Sequence, residues 1–376
     1  MKKSLEIEKV EIFVTGDPTQ DRPRWARYLE DIYTTNTIVK ITTKDGYVGI
    51  GGTITYTENH FDDSIGETIR LYLPKLIGQS ALDTEKIWNW MAKRPTVISK
   101  PAMSCIDIAL WDLRGKYAGM PIYQMLGAAR DKILSYASTP LLGSIEEYLE
   151  FITKCINNGF KSIKIHPFTD FEEDYELVKE INKKYKNSGI TFSLDPDQQY
   201  SREQAYKMAK LLEDFNWVWF EAPLPDTDLE GYAELRAKTN VPISCGGNHY
   251  LSLIEIQHGL KVGAWSDVRI DTTVCGGITP TRKIVAVSEA NSRRIELQSW
   301  GATLTQAANL HIMLSTNSCT YFEQAFPYEP FEIGAKDVIR TDSEGYVQIP
   351  EGKNGLGIEL DWEAIEKITL KKYLVK

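Results

Sequence analysis

The 376-residue chain reads as α/β, a barrel of the (β/α)8 type preceded by a smaller α+β unit and followed by an extended tail. Three observations predict this. Short runs rich in Val, Ile, Phe and Trp end near Ala137, His166, Asp195, Glu221, Cys245, Asp271, Gln298 and Glu323, at intervals of 24 to 29 residues, enough each time for one strand, one helix and two loops. Helix-length amphipathic segments fill those intervals. No Gly-x-Gly-x-x-Gly follows the first of these strands, which weakens the competing open, doubly wound sheet in its dinucleotide-binding form.

The elements follow in order. Val10 to Val14 and Thr37 to Thr42 carry β-branched alternation, and Lys44-Asp45-Gly46 before Tyr47-Val48-Gly49-Ile50 is a hairpin turn signal. The polar stretch Thr15 to Asp31 between the first two strands reads as a long loop, of the kind that serves as a lid or binding loop. Helical spacing takes over from Asp63 to Gly119 and is closed by Gly119-Met120-Pro121. The barrel repeats come next. The tail, with Glu344-Gly345-Tyr346-Val347-Gln348-Ile349-Pro350 and Gly355-Leu356-Gly357, reads as extended structure returning to the first domain. The expected division is a cap at 1–128, a barrel at 129–330 and a C-terminal segment at 331–376 that packs back on the cap.

Composition narrows the class. With 42% hydrophobic and 25% charged residues the chain is an ordinary globular one, so disorder and collagen-like repetition are excluded. Its net charge of −9, without a basic stripe, argues against nucleic acid as main partner. No apolar run approaches the roughly 18 residues of a membrane span, and Met1 to Glu8 alternates acids with aliphatics rather than forming a signal core. The five cysteines include no Cys-x-x-Cys pair. They read as reduced core thiols of a cytoplasmic protein.

The strand ends carry the chemistry, because barrel active sites lie at the C-terminal rim. Asp195, Glu221 and Asn248 come from three adjacent strands, and together form a hard oxygen set suited to Mg²⁺ completed by water or substrate. A helix cap explains one such acid, but not an acid placed directly after Trp217-Val218-Trp219-Phe220. Strand alternation puts Lys164 and His166 on one face. Asp271, Gln298 and Glu323 close the ring, which suits a carboxylate substrate on the metal.

These residues carry a family resemblance. Ala109-Leu110-Trp111-Asp112-Leu113-Arg114-Gly115-Lys116, Asp195-Pro196-Asp197, Glu221-Ala222-Pro223 and Gly276-Gly277-Ile278-Thr279 resemble the enolase superfamily, in its mandelate racemase-like subgroup (the mandelate racemase/muconate lactonizing enzymes), over nearly the whole chain. The resemblance implies a modified (β/α)7β TIM-type barrel with an N-terminal α+β capping domain. It also implies one Mg²⁺ per subunit, abstraction of the proton next to a carboxylate, and a homo-oligomer between dimer and octamer. Three positions depart from the pattern. Lys164-x-His166 stands where Lys-x-Lys is usual, Asn248 where the third metal ligand is usually Glu, and Gln298 where a His pairs with the acid corresponding to Asp271. An amide takes no proton near neutral pH, so the two-base racemisation of that dyad is unavailable.

His166 then becomes the expected base, since an imidazole exchanges protons near neutral pH. Lys164 is expected to hold a substrate carboxylate oxygen, with Glu323 as a hydrogen-bond partner on its other side. Asp197 either binds the ion or restores charge beside it. Candidate substrate contacts are Arg24 in the first loop, His60 from the cap, Trp300, and His249, for which capping the following helix is the stronger reading. His258 and His311 read as structural. The leading function is dehydration of a sugar acid to a 2-keto-3-deoxy acid by a lyase. The alternatives are an epimerase, isomerase or cycloisomerase on a related carboxylate, and a homologue that binds metal and ligand without turnover.

Overall fold

In the computed structural model, which describes residues 5–21, 23–29, 33–54 and 60–376, three antiparallel strands come first: β1 (Ile7–Asp21), β2 (Tyr33–Thr43) and β3 (Val48–Ile54). Their alternation serves two cores. Val10, Ile12, Val39 and Ile41 pack under the cap helices, whereas Phe13, Ile38 and Ile50 face the barrel side. Gly46, at φ +82°, makes the expected turn. The first loop is shorter than its polarity suggested. β1 continues to Asp21 and pairs Gly16 with Thr35 and, after a register shift, Asp21 with Tyr33. A ladder satisfies the backbone whatever the side chains, so polar composition alone did not end the strand.

Helices α1 (His60–Tyr72), α2 (Thr84–Ala92) and α3 (Lys100–Ala118) cover the sheet. Ser99 caps α3 by accepting from the Ala102 amide, and Gly119, in the left-handed region, ends it. α3 lies so close to β3 that a Cβ on Gly51 would stand 2.2 Å from the Cys105 carbonyl oxygen. Only glycine admits that approach.

After the short helix α4 (Ile122–Met125), eight strands alternate with seven helices. In order they are β4 (Ile133–Ser138), α5 (Ile145–Asn157), β5 (Ser162–Ile165), α6 (Phe171–Tyr185), β6 (Thr191–Leu194), α7 (Arg202–Asp214), β7 (Trp219–Glu221), α8 (Leu229–Lys238), β8 (Ile243–Ser244), α9 (Leu253–Val262), β9 (Asp267–Ile270), α10 (Ile278–Ala290), β10 (Arg294–Leu297), α11 (Thr303–Ser315) and β11 (Phe322–Ala325). They form one parallel sheet in the order β10-β9-β8-β7-β6-β5-β4-β11. Among the described residues no ladder joins β10 to β11. Ser299 spans the gap, its amide donating to Glu323 Oε2 at 3.1 Å and its hydroxyl to the Glu323 carbonyl at 2.7 Å. The architecture is the expected (β/α)7β barrel with an α+β cap.

The tail returns in two steps. β12 (Tyr346–Val347) pairs antiparallel with β4 of the barrel; beyond it the Leu356 amide meets Asp112 of α3, Trp362 of α12 (Trp362–Lys367) packs on Phe13, and β13 (Thr369–Val375) pairs with β1 of the cap. All five cysteines are free and buried. Among the described residues no helix is long and apolar enough to cross a membrane.

Two buried acids on α3 tie cap, barrel and tail together. Asp112 accepts from the Ile50 and Leu356 amides, each at 2.8 Å, and from Lys116 at 2.7 Å. Asp107 addresses a helix that lacks a cap of its own. Ser144, Asp170, Ser201, Asp228 and Ser252 cap α5 to α9 with their side chains, whereas Gly277, before α10, offers none. The Asp107 carboxylate supplies the missing acceptor from the cap, taking the Thr279 amide at 2.9 Å and its hydroxyl at 2.6 Å. Burial nevertheless pushes its pKa from 3.8 to about 7, against the pull of Thr279. The folded state therefore binds the proton more tightly than the unfolded one, and this group's stabilisation is present in acid and lost as pH rises from about 4 to about 7. Asp107→Asn removes that titration. In denaturant unfolding near pH 5 and near pH 8, the difference between wild type and variant is expected to change by roughly 2–3 kcal/mol, and a constant difference would contradict it.

Candidate active site

Five strands deliver one charge cluster to the C-terminal mouth of the barrel. Lys164, on β5, is 2% exposed, and its Nζ lies 3.0 Å from Asp195 Oδ2, 3.0 Å from Glu221 Oε1 and 2.8 Å from Glu323 Oε1. Arg269, on β9, is 1% exposed. Its Nε lies 2.6 Å from Glu221 Oε1, and its Nη2 lies 2.9 Å from Glu323 Oε2 and 3.2 Å from the Tyr136 hydroxyl. Two cations thus hold three carboxylates. Burial raises all three acids, but Lys164 and His166 bring Asp195 far below the usual carboxylate range, and Lys164 with Arg269 brings Glu323 down to about 2. Glu221, enclosed between these acids, stays raised to about 8 by burial despite Arg269. Desolvation wins where three negative charges share two positive ones.

His166 has a defined orientation. Its Nδ1 lies 2.6 Å from the Thr139 carbonyl oxygen, which can only accept, so Nδ1 carries the hydrogen and Nε2 is the nitrogen open to proton traffic. Nε2 faces Asp195 Oδ2 at 3.2 Å. Both residues line a cavity of about 420 Å³ with Lys164, Asp197, Asn248, Gln298, Trp300, Glu323 and Trp25. Gln298 Nε2 donates to the Gly246 carbonyl, while its buried Oε1 has no hydrogen-bond partner among the described residues. Asp271 does not line this cavity. Its Oδ1 accepts from the Thr273 amide and hydroxyl and from Asn309 Nδ2 at 2.7 to 2.9 Å, because the turn after β9 bends back on its own carboxylate.

Lys164 is enclosed by the protein's own acids. An ammonium has three N–H donors, and three carboxylates surround this one, so its contacts are with the protein's own acids. Glu323 is likewise an acceptor here, taking Ser138 Oγ at 3.0 Å as well as the two cations. Among the described residues no three of His, Cys, Asp and Glu form a ready cation cage. Asp195 and Glu221 converge on the Lys164 ammonium, each 3.0 Å from its nitrogen, and of the two only Asp195 lines the cavity. Exposed Asn248 lines the cavity at the rim, on a turn that Asp226 holds by accepting from the Gly246 amide at 2.8 Å. Two carboxylates and an amide fit Mg²⁺ with water or substrate oxygens, and suit no soft metal.

The first loop roofs the cavity. Trp25 Nε1 donates to Asp197 Oδ2 at 2.9 Å, the Tyr28 hydroxyl donates to the same oxygen, and Trp25 packs edge-on against Trp300 with ring centroids 4.9 Å apart. Asp197 and Gln198 take left-handed backbones, φ +48° and +68°, which turns this second acid up toward the loop. Burial and Asp195 raise its pKa. Arg27 pairs with Glu173 and lies over the Phe168 ring. Arg24 instead donates to the Leu29 carbonyl within its own loop, at 3.1 Å, and does not line the cavity.

The other candidates fall elsewhere. Ser252, not His249, caps α9, because Ser252 occupies the residue before the first helical turn and accepts from Glu255 N. His249 is exposed, stacks edge-on against Tyr250 and is absent from the cavity wall. His60 opens α1, but its side chain, like Arg22, lies outside the described residues. His258 and His311 lie within α9 and α11, and buried His311 accepts the Tyr123 amide on Nδ1 at 3.1 Å. Arg269, Thr139 and Trp25 were missed. Arg269 left a signal, since it shares the inward face of β9 with Asp267 and Asp271 between the outward Val268 and Ile270. Hydrogen bonds to a carboxylate contribute about 1.5–3 kcal/mol each, so Asp197→Ala should release the loop. Trypsin cleavage after Arg24 or Arg27 is expected to speed up about tenfold or more, and unchanged cleavage would show that Asp197 does not hold it.

Comparison with known proteins agrees with this fold. The family model for the mandelate racemase/muconate lactonizing enzyme N-terminal domain matches residues 9–127, and that for the enolase C-terminal domain-like region matches 147–364. A D-galactonate dehydratase family member from Enterococcus gallinarum is 28% identical, covering 97% of this chain and 94% of its own. D-galactarolactone cycloisomerase from Agrobacterium fabrum is 27% identical over 89% and 91% of the two chains. A solved Pseudovibrio sp. structure, assigned to the mandelate racemase/muconate lactonizing enzymes, superposes with a TM-score of 0.96 at 47% identity over 99% of both chains. L-talarate/galactarate dehydratase from Salmonella typhimurium LT2, solved with Mg and L-lyxarohydroxamate, shares the fold at a TM-score of 0.86 and 24% identity, over 98% and 94% of the chains. The chain belongs to the enolase superfamily, among its mandelate racemase/muconate lactonizing enzyme-like members.

Proposed function

We propose that the chain is a Mg²⁺-dependent carbon-acid enzyme that removes the α-proton of a sugar-acid carboxylate and dehydrates the acid to a 2-keto-3-deoxy product. In this reading residues 1–128 act as the cap, 129–330 as the catalytic barrel and 331–376 as the closing segment. The observation that carries it is the orientation of His166, with Nδ1 anchored on the Thr139 carbonyl and Nε2 presented to the cavity. Asp195, Glu221 and Asn248 would hold the cation. Bound Mg²⁺ would supply positive charge beside the substrate carboxylate and so favour its enediolate form.

The chain's own groups do the rest. His166 Nε2 takes the α-proton, and the imidazolium so formed sits beside the Asp195 carboxylate. On syn elimination the same nitrogen returns a proton to the leaving β-hydroxyl, which departs as water while the enol relaxes to the ketone. Lys164 and Arg269 keep Asp195, Glu221 and Glu323 in register. Trp25 and Trp300 restrict water from above. Gln298 lines the same cavity and exchanges no proton, so one base serves the whole reaction. Its unpartnered Oε1 is an acceptor suited to a substrate hydroxyl.

Cycloisomerisation of a sugar-acid lactone is the second reading, supported by the cycloisomerase relative. Proton NMR in D₂O with D-galactonate, galactarate, L-talarate and D-galactarolactone distinguishes the two. Water loss with a new 2-keto-3-deoxy signal is expected, whereas a product isomeric with its substrate would favour the second. His166→Ala is expected to lower turnover by about 10²–10⁴-fold without changing the fold by circular dichroism. Full turnover by that variant would overturn the assignment of the base.

A further inference from the structure

The charge cluster contains one member that neither metal binding nor proton transfer calls for. Arg269 is 1% exposed and reaches two acids on opposite sides of the barrel, Glu221 at 2.6 Å and Glu323 at 2.9 Å. Val268 and Ile270, which alternate with it along β9, are the strand's buried core residues. Burying a guanidinium is costly unless its charge is met. Its position is therefore informative about the charge that the site is built to manage.

Consider the expected cation ligands as charges. With a cation bound and Glu221 deprotonated, Asp195 and Glu221 bring two negative charges and Asn248 brings none, while Glu323, which is not a ligand, brings a third that Lys164 and Arg269 share. Lys164 and Arg269 stand against these same carboxylates with two positive ones. We propose that Arg269 is a built-in counter-charge of the metal site, which keeps the pocket formed without the ion and holds its affinity for a divalent cation down. This rests on the reading of Asp195 and Glu221 as cation ligands. Mg²⁺ entering the site meets two fixed positive charges at short range, a repulsion that solvent screens poorly at this depth. Firm binding then requires negative charge from elsewhere, which a substrate carboxylate supplies. Arg269 thus acts through Glu221 as a positioning residue.

Isothermal calorimetry with MgCl₂ alone, and Mn²⁺ paramagnetic resonance as a second readout, test this on the full chain. Arg269→Gln is expected to bind Mg²⁺ about tenfold more tightly or better, whereas Arg269→Lys keeps the charge and should stay near wild type. A merely structural arginine predicts the reverse, loosened binding in both. Equal or weaker binding by folded Arg269→Gln overturns the proposal. If wild-type binding is also abolished by Asp195→Asn, the metal reading stands while the Arg269 role falls. Binding indifferent to Asp195→Asn overturns both. Should Arg269→Gln fold only when Mg²⁺ is present, the ion is doing the arginine's work, as proposed. Should it not fold at all, Asn248→Asp at the exposed rim decides. Returning one negative charge there is expected to tighten Mg²⁺ about tenfold, and unchanged affinity overturns the charge deficit on which the proposal depends.

Discussion

Two cations locked among three carboxylates at the mouth of the barrel are the constraint on which the site depends. Lys164 reaches β6, β7 and β11, and Arg269 reaches β7 and β11 from β9. Five strands are thereby cross-linked inside a barrel whose β10–β11 seam has no ladder among the described residues. Removing one partner of such a buried set leaves an uncompensated charge, at a cost of about 3–5 kcal/mol. The same set creates the chemistry. It holds Asp195 ionised beside His166.

The cap is joined to this mouth at two depths. At the base, Asp107 and Asp112 of α3 bind the start of α10 and the tail, which fixes the cap on the barrel as a body. At the top, Trp25 and Tyr28 reach down to Asp197. The body and the loop are therefore held by different contacts. Selectivity can be set by the loop while the orientation of cap and barrel is maintained by α3, which is how one barrel accommodates different acids.

Much of this was legible in the sequence, for a simple reason. Barrel strands buried on both faces are short apolar runs, and a polar residue ending one of them stands out. Lys164, His166, Asp195, Glu221, Gln298 and Glu323 were found that way, and the structure brings them together. Arg269 was not, because it lies within a strand rather than at its end. The loop limits were misjudged because β1 continues through polar residues on the strength of backbone pairing alone. Asp271 and His249 carried the right chemistry at the right place in the chain, yet the turns after β9 and β8 aim them elsewhere.

The sequence by itself determined the class of fold, the ring of strand ends and the kinds of donor on it. These are one-dimensional properties, set by period, spacing and residue type. Only the tertiary structure decided how charges pair across the barrel, since Lys164 and Arg269 meet acids between 31 and 159 residues away in the chain, and Glu221, Glu323 and Asp195 come together from separate repeats. Tertiary structure also selected which nitrogen of His166 faces the backbone and which faces Asp195, because that depends on one carbonyl, Thr139, 27 residues earlier. Electrostatic partnership acts through space and not along the chain, so the repeat predicts the ring but not its wiring.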